Sequence, residues 1–332
     1  MDAKRPGYGF DHYAKADVHN AEAYAIMATV FAKLDLHEEA RNSADWLLRD
    51  GMKPSGFGWG IPFSWDAFGD GTVNPQETIY GVSVALATRA LLDVCTGSGQ
   101  KEYCDGAFSA LDYYMQFRTE ESDGGYFWYS NQSHDAIDVY NVSALLAAQY
   151  ARAGKLIGRR DYLEVADRTA QHLWSRRTED DMGVWWSYSS KNTTPNDLVH
   201  AVMMAEGLRE YSNYGKHQFP SGGMHHYLRA FLNEKPTKEF APHRQLPETL
   251  VERPARVWGV AALITELASA AGPATMAELL ETLRRYETES GTYNLTPDKP
   301  ETAPLFDAHV ARALTTVLLD GCIPCKFVPR NM

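Results

Sequence analysis

The chain has 332 residues, 44% apolar and 23% charged, and its 32 Lys and Arg against 43 Asp and Glu leave a formal charge of −11. That balance repels phosphate backbones and includes no basic cluster, which excludes nucleic acid as a partner; no apolar run reaches the roughly 18 residues of a membrane span, so no integral membrane segment is expected. Aromatics make up 12%, with eight Trp and eighteen Tyr, more than a core of this size needs, so some should line a surface.

Six helix-like stretches recur along the chain and align without gaps: 17–31 (DVHNAEAYAIMATVF), 78–92 (TIYGVSVALATRALL), 138–152 (DVYNVSALLAAQYAR), 198–212 (LVHAVMMAEGLREYS), 256–270 (RVWGVAALITELASA) and 307–321 (DAHVARALTTVLLDG). The third place always holds an aromatic or an imidazole, namely His19, Tyr80, Tyr140, His200, Trp258 and His309, at intervals of 61, 60, 60, 58 and 51 residues. A period near 60 marks a repeat architecture with room for two helices per unit. Second helices fall between them at 37–50, 102–118, 160–174, 222–232 and 274–287, more polar on one side as outer helices should be. The first set is apolar nearly all round and rich in Ala and Gly, which suits a crowded inner ring. These pairs predict an all-α (α/α)6 toroid forming one domain over residues 1–332. No sixth outer helix follows residue 321, so the C-terminal tail or residues 1–16 must fill that place.

Connections from inner to outer helix are short, whereas those leading back (51–76, 119–136, 177–195, 233–252 and 287–304) are long. All long loops therefore gather on the rim where inner helices begin, and long loops in compact domains are usually functional. Three of them, GFGWGIPFSWDAFGDG, GGYFWYSNQSHDA and MGVWWSYSSKNTTPND, start near a Gly, alternate aromatics with small or polar residues as a short hairpin does, and end in an acid entering the next inner helix. The expected mouth is walled by Trp59, Trp65, Tyr126, Trp128, Trp185, Trp186 and Tyr188, faces on which sugar rings stack.

Eighteen first-turn polar groups converge on that rim, among them Asp17, Glu22, Asp66, Glu77, His134, Asp135, Asp138, Asn141, Asp197, Arg253, Arg256 and Asp307. Any one acid there can be a helix cap. As a set at the mouth of an aromatic cleft they suit glycoside hydrolysis, which needs one carboxyl as general acid and another as base or nucleophile. Asp138 and Asp197, on neighbouring inner helices, are the expected pair, with Asp66 and Glu77 in reserve and His200 and Tyr140 as hydrogen-bonding partners. Trp59, Trp65, Tyr80, Trp128, His134, Asn141, Trp186, Arg253, Arg256, Trp258 and His309 are the expected substrate contacts. A second enzyme reading is a lyase or epimerase of uronic acids in which Tyr140 or His200 takes the C5 proton and Arg253 or Arg256 neutralises the carboxylate; a third is a glycan-binding protein without catalysis. No P-loop, HExxH or dinucleotide-binding GxGxxG is present, so neither cofactor nor metal is expected, and the partner is a poly- or oligosaccharide.

Cysteines form two local pairs, Cys95 with Cys104 and Cys322 with Cys325. Such spacing suits disulfides and a periplasmic or secreted location, while free thiols or one zinc held by all four stay open. MDAKRPGYGF has no apolar signal core, so that location requires a mature or trimmed chain.

WGIPFSWDAFGDGTVNPQETIYGVSVALATRALLD and DVYNVSALLAAQYARAG with RRDYLEVADRTAQHLW give the chain a further likeness. Over residues 17–320 it resembles the (α/α)6-toroid carbohydrate-active enzymes, including unsaturated glucuronyl hydrolases, glucuronyl C5-epimerases, N-acylglucosamine 2-epimerases and several polysaccharide lyases. The resemblance implies catalytic acids at inner-helix starts, where Asp138 stands. The Tyr- and Arg-rich C-terminal pattern of the C5-epimerases has no counterpart beyond Arg253 and Arg256.

Overall fold

A computed structural model describes residues 20–232, 237–242, 246, 250 and 252–320. Among them are eleven α-helices: α1 (Ala21–Lys33), α2 (His37–Arg49), α3 (Gly81–Ser98), α4 (Lys101–Tyr114), α5 (Tyr140–Ile157), α6 (Arg160–Ser175), α7 (Leu198–Ser212), α8 (Ser221–Ala230), α9 (Val257–Leu267), α10 (Pro273–Arg284) and α11 (Pro304–Leu319). The odd-numbered helices form the inner ring. Each touches the next in chain order, and α11 returns to α1, which closes an (α/α)6 toroid; α2, α4, α6, α8 and α10 each pack outside their preceding helix. The expected filler of the sixth outer place, together with Asp17, His19, Cys322 and Cys325, lies outside the described residues.

Local chemistry sets the helix ends. Asn20 caps α1 by accepting from the N–H groups of Glu22 and Ala23 at 2.9 and 3.2 Å. Gly99 and Gly158 end α3 and α5 at φ 72°, the left-handed conformation that turns the chain within two residues into the next outer helix. Pro273 and Pro304 open α10 and α11, where a missing N–H costs nothing. Pro304 also begins α11 three residues before the expected start at 307, so the six aligned third places do not share one helical position. Tyr80 precedes α3 and Tyr140 is the first residue of α5, whereas His309 sits well inside α11.

The inner ring is tight because its residues are small. At the α5–α7 contact a methyl group on Gly207 would lie 2.7 Å from the Ala144 carbonyl carbon, so Gly207→Ala should lower unfolding free energy by about 1–3 kcal/mol through overpacking, read from the denaturant midpoint. A disulfide joins Cys95 at the end of α3 to Cys104 in α4 with Cα atoms 5.5 Å apart, as expected for that pair. Cys95→Ser should cost about 2–3 kcal/mol, a loss that reductant reproduces in the unmutated protein.

Among the described residues three two-stranded hairpins decorate the rim: β1 (Arg118–Glu121) with β2 (Gly124–Phe127), β3 (Thr178–Asp180) with β4 (Gly183–Trp185), and β5 (Asn294–Thr296) with β6 (Lys299–Thr302). The first two match the aromatic-rich loops. In loop 51–76 the expected hairpin reduces to a single bridge between Trp65 and Asn74, and the third hairpin, before α11, is an addition.

Several expected wall aromatics prove to be core. Trp59 is fully buried with its Nε1–H donated to the Leu47 carbonyl at 2.8 Å, and Trp186 is 3% exposed with its Nε1–H on the Leu173 carbonyl at 2.7 Å. Trp185 is buried against Tyr227. In these segments the residues facing inward pin the rim loops to the outer helices. Trp65 and Trp128 are only partly buried, the latter bonded through Nε1 to Thr119 Oγ1 at 2.9 Å.

Candidate active site at the mouth of the toroid

The floor of the mouth follows from ring geometry. Arg89 of α3, Glu206 of α7 and Arg312 of α11 occupy the ninth place of their helices, and these are alternate members of a six-membered ring, which can meet only near its axis. They do meet. Arg89 Nη1 lies 2.8 Å from Glu206 Oε1 and its Nη2 is 2.5 Å from Glu210 Oε2, while Arg312 also binds Glu206. Burial pushes the Glu206 carboxyl up, but Arg312 and Arg89 outweigh it and hold the group well below the usual carboxylate range. This buried cluster lies near the axis two turns along from the helix starts, about 12 Å at 1.5 Å per residue. The sequence reading missed it, although the signal was available: charges in the middle of inner helices that are otherwise largely apolar.

Above the floor, Ile26 and Thr29 share a small cavity with Leu86, Arg89 and Arg312 and so define the axial stripe of α1. Glu22 precedes them by four and seven residues and falls on that stripe. Its carboxylate accepts from Ser83 Oγ on α3 at 2.8 Å, and burial raises its pKa against that bond. On α11 the axial stripe carries His309 three residues before Arg312. His309 is 6% exposed; burial and then Arg312 push its pKa down to about 3, so the imidazole is neutral. Trp258 of α9 stands beside it, edge to face, with ring centroids 6.3 Å apart. Asn141 of α5 is 1% exposed, gives its amide to Met203 sulfur at 3.6 Å and keeps a buried Oδ1 without a hydrogen-bond partner.

A second polar group rings the start of α7. Asp197 caps that helix, accepting from His200 N at 3.1 Å and from His200 Nδ1 at 2.6 Å. Its other oxygen takes Arg256 Nη2 at 2.8 Å, and Arg256 in turn holds Glu239 through Nε at 2.5 Å and through its backbone N at 2.8 Å. Burial raises Asp197, but His200 and Arg256 prevail and keep it well below the carboxylate range, hence ionised. The guanidinium also lies 5.0 Å from the Trp258 ring centroid, and the Tyr188 ring meets His200 edge-on at 4.9 Å. Glu239 was not singled out from sequence, because nothing local links it to residue 256.

Asp138 is placed differently. It is 3% exposed and binds His172 Nε2 of the outer helix α6 at 2.8 Å, while His172 Nδ1 faces Asp123 at 3.0 Å. Burial raises the Asp138 pKa more than His172 lowers it. Asp138 and Asp197 thus face different partners, one toward the outer layer and one toward Arg256. Glu121, Asp123 and His172 bring ligand atoms within 4.8 Å of one another, but Arg176 Nη2 already reaches both carboxylates at 3.0 and 3.2 Å. Asp66 closes its own turn by accepting from the N–H groups of Gly69 and Gly71, and the side chains of Glu77 and Arg253 are exposed. His134 Nε2 lies 2.6 Å from Asn74 Oδ1, beside buried Asp135. Tyr80 and Tyr140 are buried, 4% and 5% exposed, with hydroxyl pKa values raised by burial.

Fold and mouth together define an (α/α)6 toroid whose axis is lined by polar and aromatic side chains of the inner helices. No family model and no curated protein matches the chain. Solved structures do: a cellobiose 2-epimerase from Spirochaeta thermophila at 14% identity, covering 96% of this chain and 95% of that one with a TM-score of 0.62; a D-mannose isomerase at 12%, covering 91% and 87% with a TM-score of 0.61; and a GH76 α-mannanase from Bacteroides thetaiotaomicron at 10%, covering 91% and 86% with a TM-score of 0.61. The fold expected from the repeats is the one these share.

Proposed function

We propose that the protein is a carbohydrate-active enzyme that moves a proton on the open-chain end of a short neutral sugar, as a sugar epimerase or aldose–ketose isomerase does. The observation that carries this reading is the placement of Glu22 and His309 on the axial stripes of neighbouring helices α1 and α11, a carboxyl whose pKa burial raises and an imidazole that burial keeps neutral. One of them takes the proton at C2 while the electron pair moves onto the carbonyl oxygen. Return of a proton to the opposite face of C2 re-forms the aldehyde and gives the epimer; passage of the O2 hydroxyl proton to O1, with return of a proton to C1, gives the ketose. Trp258 stacks on the sugar, and Asn141 Oδ1 accepts from a hydroxyl.

Charge supports the substrate class. Arg256 is already held between two carboxylates, and the mouth carries more acid than base, which disfavours uronic acids. Several of the structural neighbours are sugar epimerases or isomerases by description, and others are hydrolases. Hydrolysis is the second reading, and Glu22 with its raised pKa is then its general acid. The disulfide supports the periplasmic or extracellular location.

A panel of reducing mono- and disaccharides, separated by chromatography after incubation, tests the proposal. New epimers or ketoses without new reducing ends are expected; release of smaller sugars instead would favour hydrolysis.

A further inference from the structure

Arg256 joins more of the mouth than any residue beside it. It sits at the start of α9, yet its donors reach Asp197 at the start of α7 and Glu239 in the preceding rim loop. Asp197 in turn occupies His200 Nδ1 at 2.6 Å and leaves Nε2 as the other imidazole nitrogen. The same guanidinium stacks 5.0 Å from Trp258. We infer that Arg256 is a positioning residue: anchored by Glu239, it orients the Asp197 carboxylate, and through it the His200 imidazole, while fixing the plane of the Trp258 indole on which the sugar rests.

The physical reasons are specific. A planar guanidinium can bind two carboxylates and lie on a ring at once, which an ammonium cannot. With Oδ2 tied to Arg256, Asp197 has only Oδ1 to offer, so it accepts from Nδ1–H and fixes which imidazole nitrogen carries the proton. Glu239 compensates the charge that Arg256 brings into a buried place.

The inference rests on the proposed sugar chemistry for its kinetic consequence but not for its structural one, and the test separates them. Protein labelled with ¹⁵N at histidine gives tautomer-dependent ring signals without any substrate. Arg256→Gln should move the His200 signals away from the Nδ1–H form, and kcat/KM for the active sugar should fall about 100-fold, the cost of a misplaced group. Arg256→Lys should restore the tautomer in part and little of kcat/KM, because it lacks the fork and the stacking face. Should Arg256→Gln fail to fold, Glu239→Gln removes one anchor only and is expected to give the same spectral change to a smaller degree. Unchanged His200 signals in a folded variant overturn the inference, whatever the activity. A spectral change in a protein that turns over no sugar leaves the inference standing and overturns the function it was drawn from.

Discussion

Replacing His309 with Gln is expected to reduce kcat for epimer or ketose formation by about 10²–10⁴-fold, the usual contribution of a positioned acid or base. Gln keeps the hydrogen-bonding character and much of the volume, so the inner ring should stay closed and the circular dichroism unchanged. A second consequence separates chemistry from packing. In the folded chain the His309 pKa is pushed down to about 3 by burial and Arg312, whereas in the unfolded chain it is near the ordinary 6.5. Below pH 6.5 the unfolded state therefore binds the extra proton, and stability should fall as pH drops from about 6.5 toward 3. His309→Gln should flatten that part of the stability curve in denaturant titrations. Loss of turnover together with a flattened acid limb is the expected signature; full turnover in the variant would remove His309 from the reaction.

Asp138→Asn should act on stability rather than on chemistry. The carboxylate and His172 form a buried pair at 2.8 Å between inner-helix start and outer helix, with side chains 4% and 1% exposed. Breaking such a pair from one side typically costs about 3–5 kcal/mol, and the lower end is expected here, because His172 stays buried but keeps Asp123 at Nδ1. The pH dependence runs opposite to that of His309. The His172 pKa is raised in the fold, where burial lowers it but Asp138 and Asp123 outweigh burial. Its contribution is thus complete below the unfolded value of about 6.5 and is lost as pH rises through the elevated folded one. Thermal unfolding of Asp138→Asn should show a much lower Tm near pH 6 and a gap to the parent protein that narrows toward pH 9. The hydrolase assignment of Asp138 calls for the reverse, an unchanged Tm with turnover abolished.

How far the sequence carries depends on which physical signal is local. The 60-residue period is visible because every inner helix must be small and apolar to fit a closed ring; Gly207 against Ala144 shows how little room there is. Loop lengths were legible for a similar reason, since Gly99 and Gly158 make the turns from inner to outer helix short. Parity within the rim segments was not legible. Alternation shows that Trp59 and Trp186 differ from their neighbours, but which face meets the core is decided by the outer helix behind them, where the Leu47 and Leu173 carbonyls wait for the indole N–H groups. Carboxylate roles were hidden for a related reason. Asp138 and Asp197 occupy similar places before inner helices, yet one meets His172, 34 residues on, and the other Arg256, 59 residues on. Such long-range partners leave no local trace. Glu22 lay in the first-turn set from the outset, and only the axial stripe of α1 distinguishes it from a cap.

The most direct measurement is proton exchange with solvent. Incubation of a reducing sugar in D₂O, followed by NMR, should show deuterium entering at C2 as the sugar turns over, and both Glu22→Gln and His309→Gln should suppress it. Turnover with no solvent deuterium on carbon, accompanied by new reducing ends, would contradict proton transfer at the mouth and make the enzyme a hydrolase.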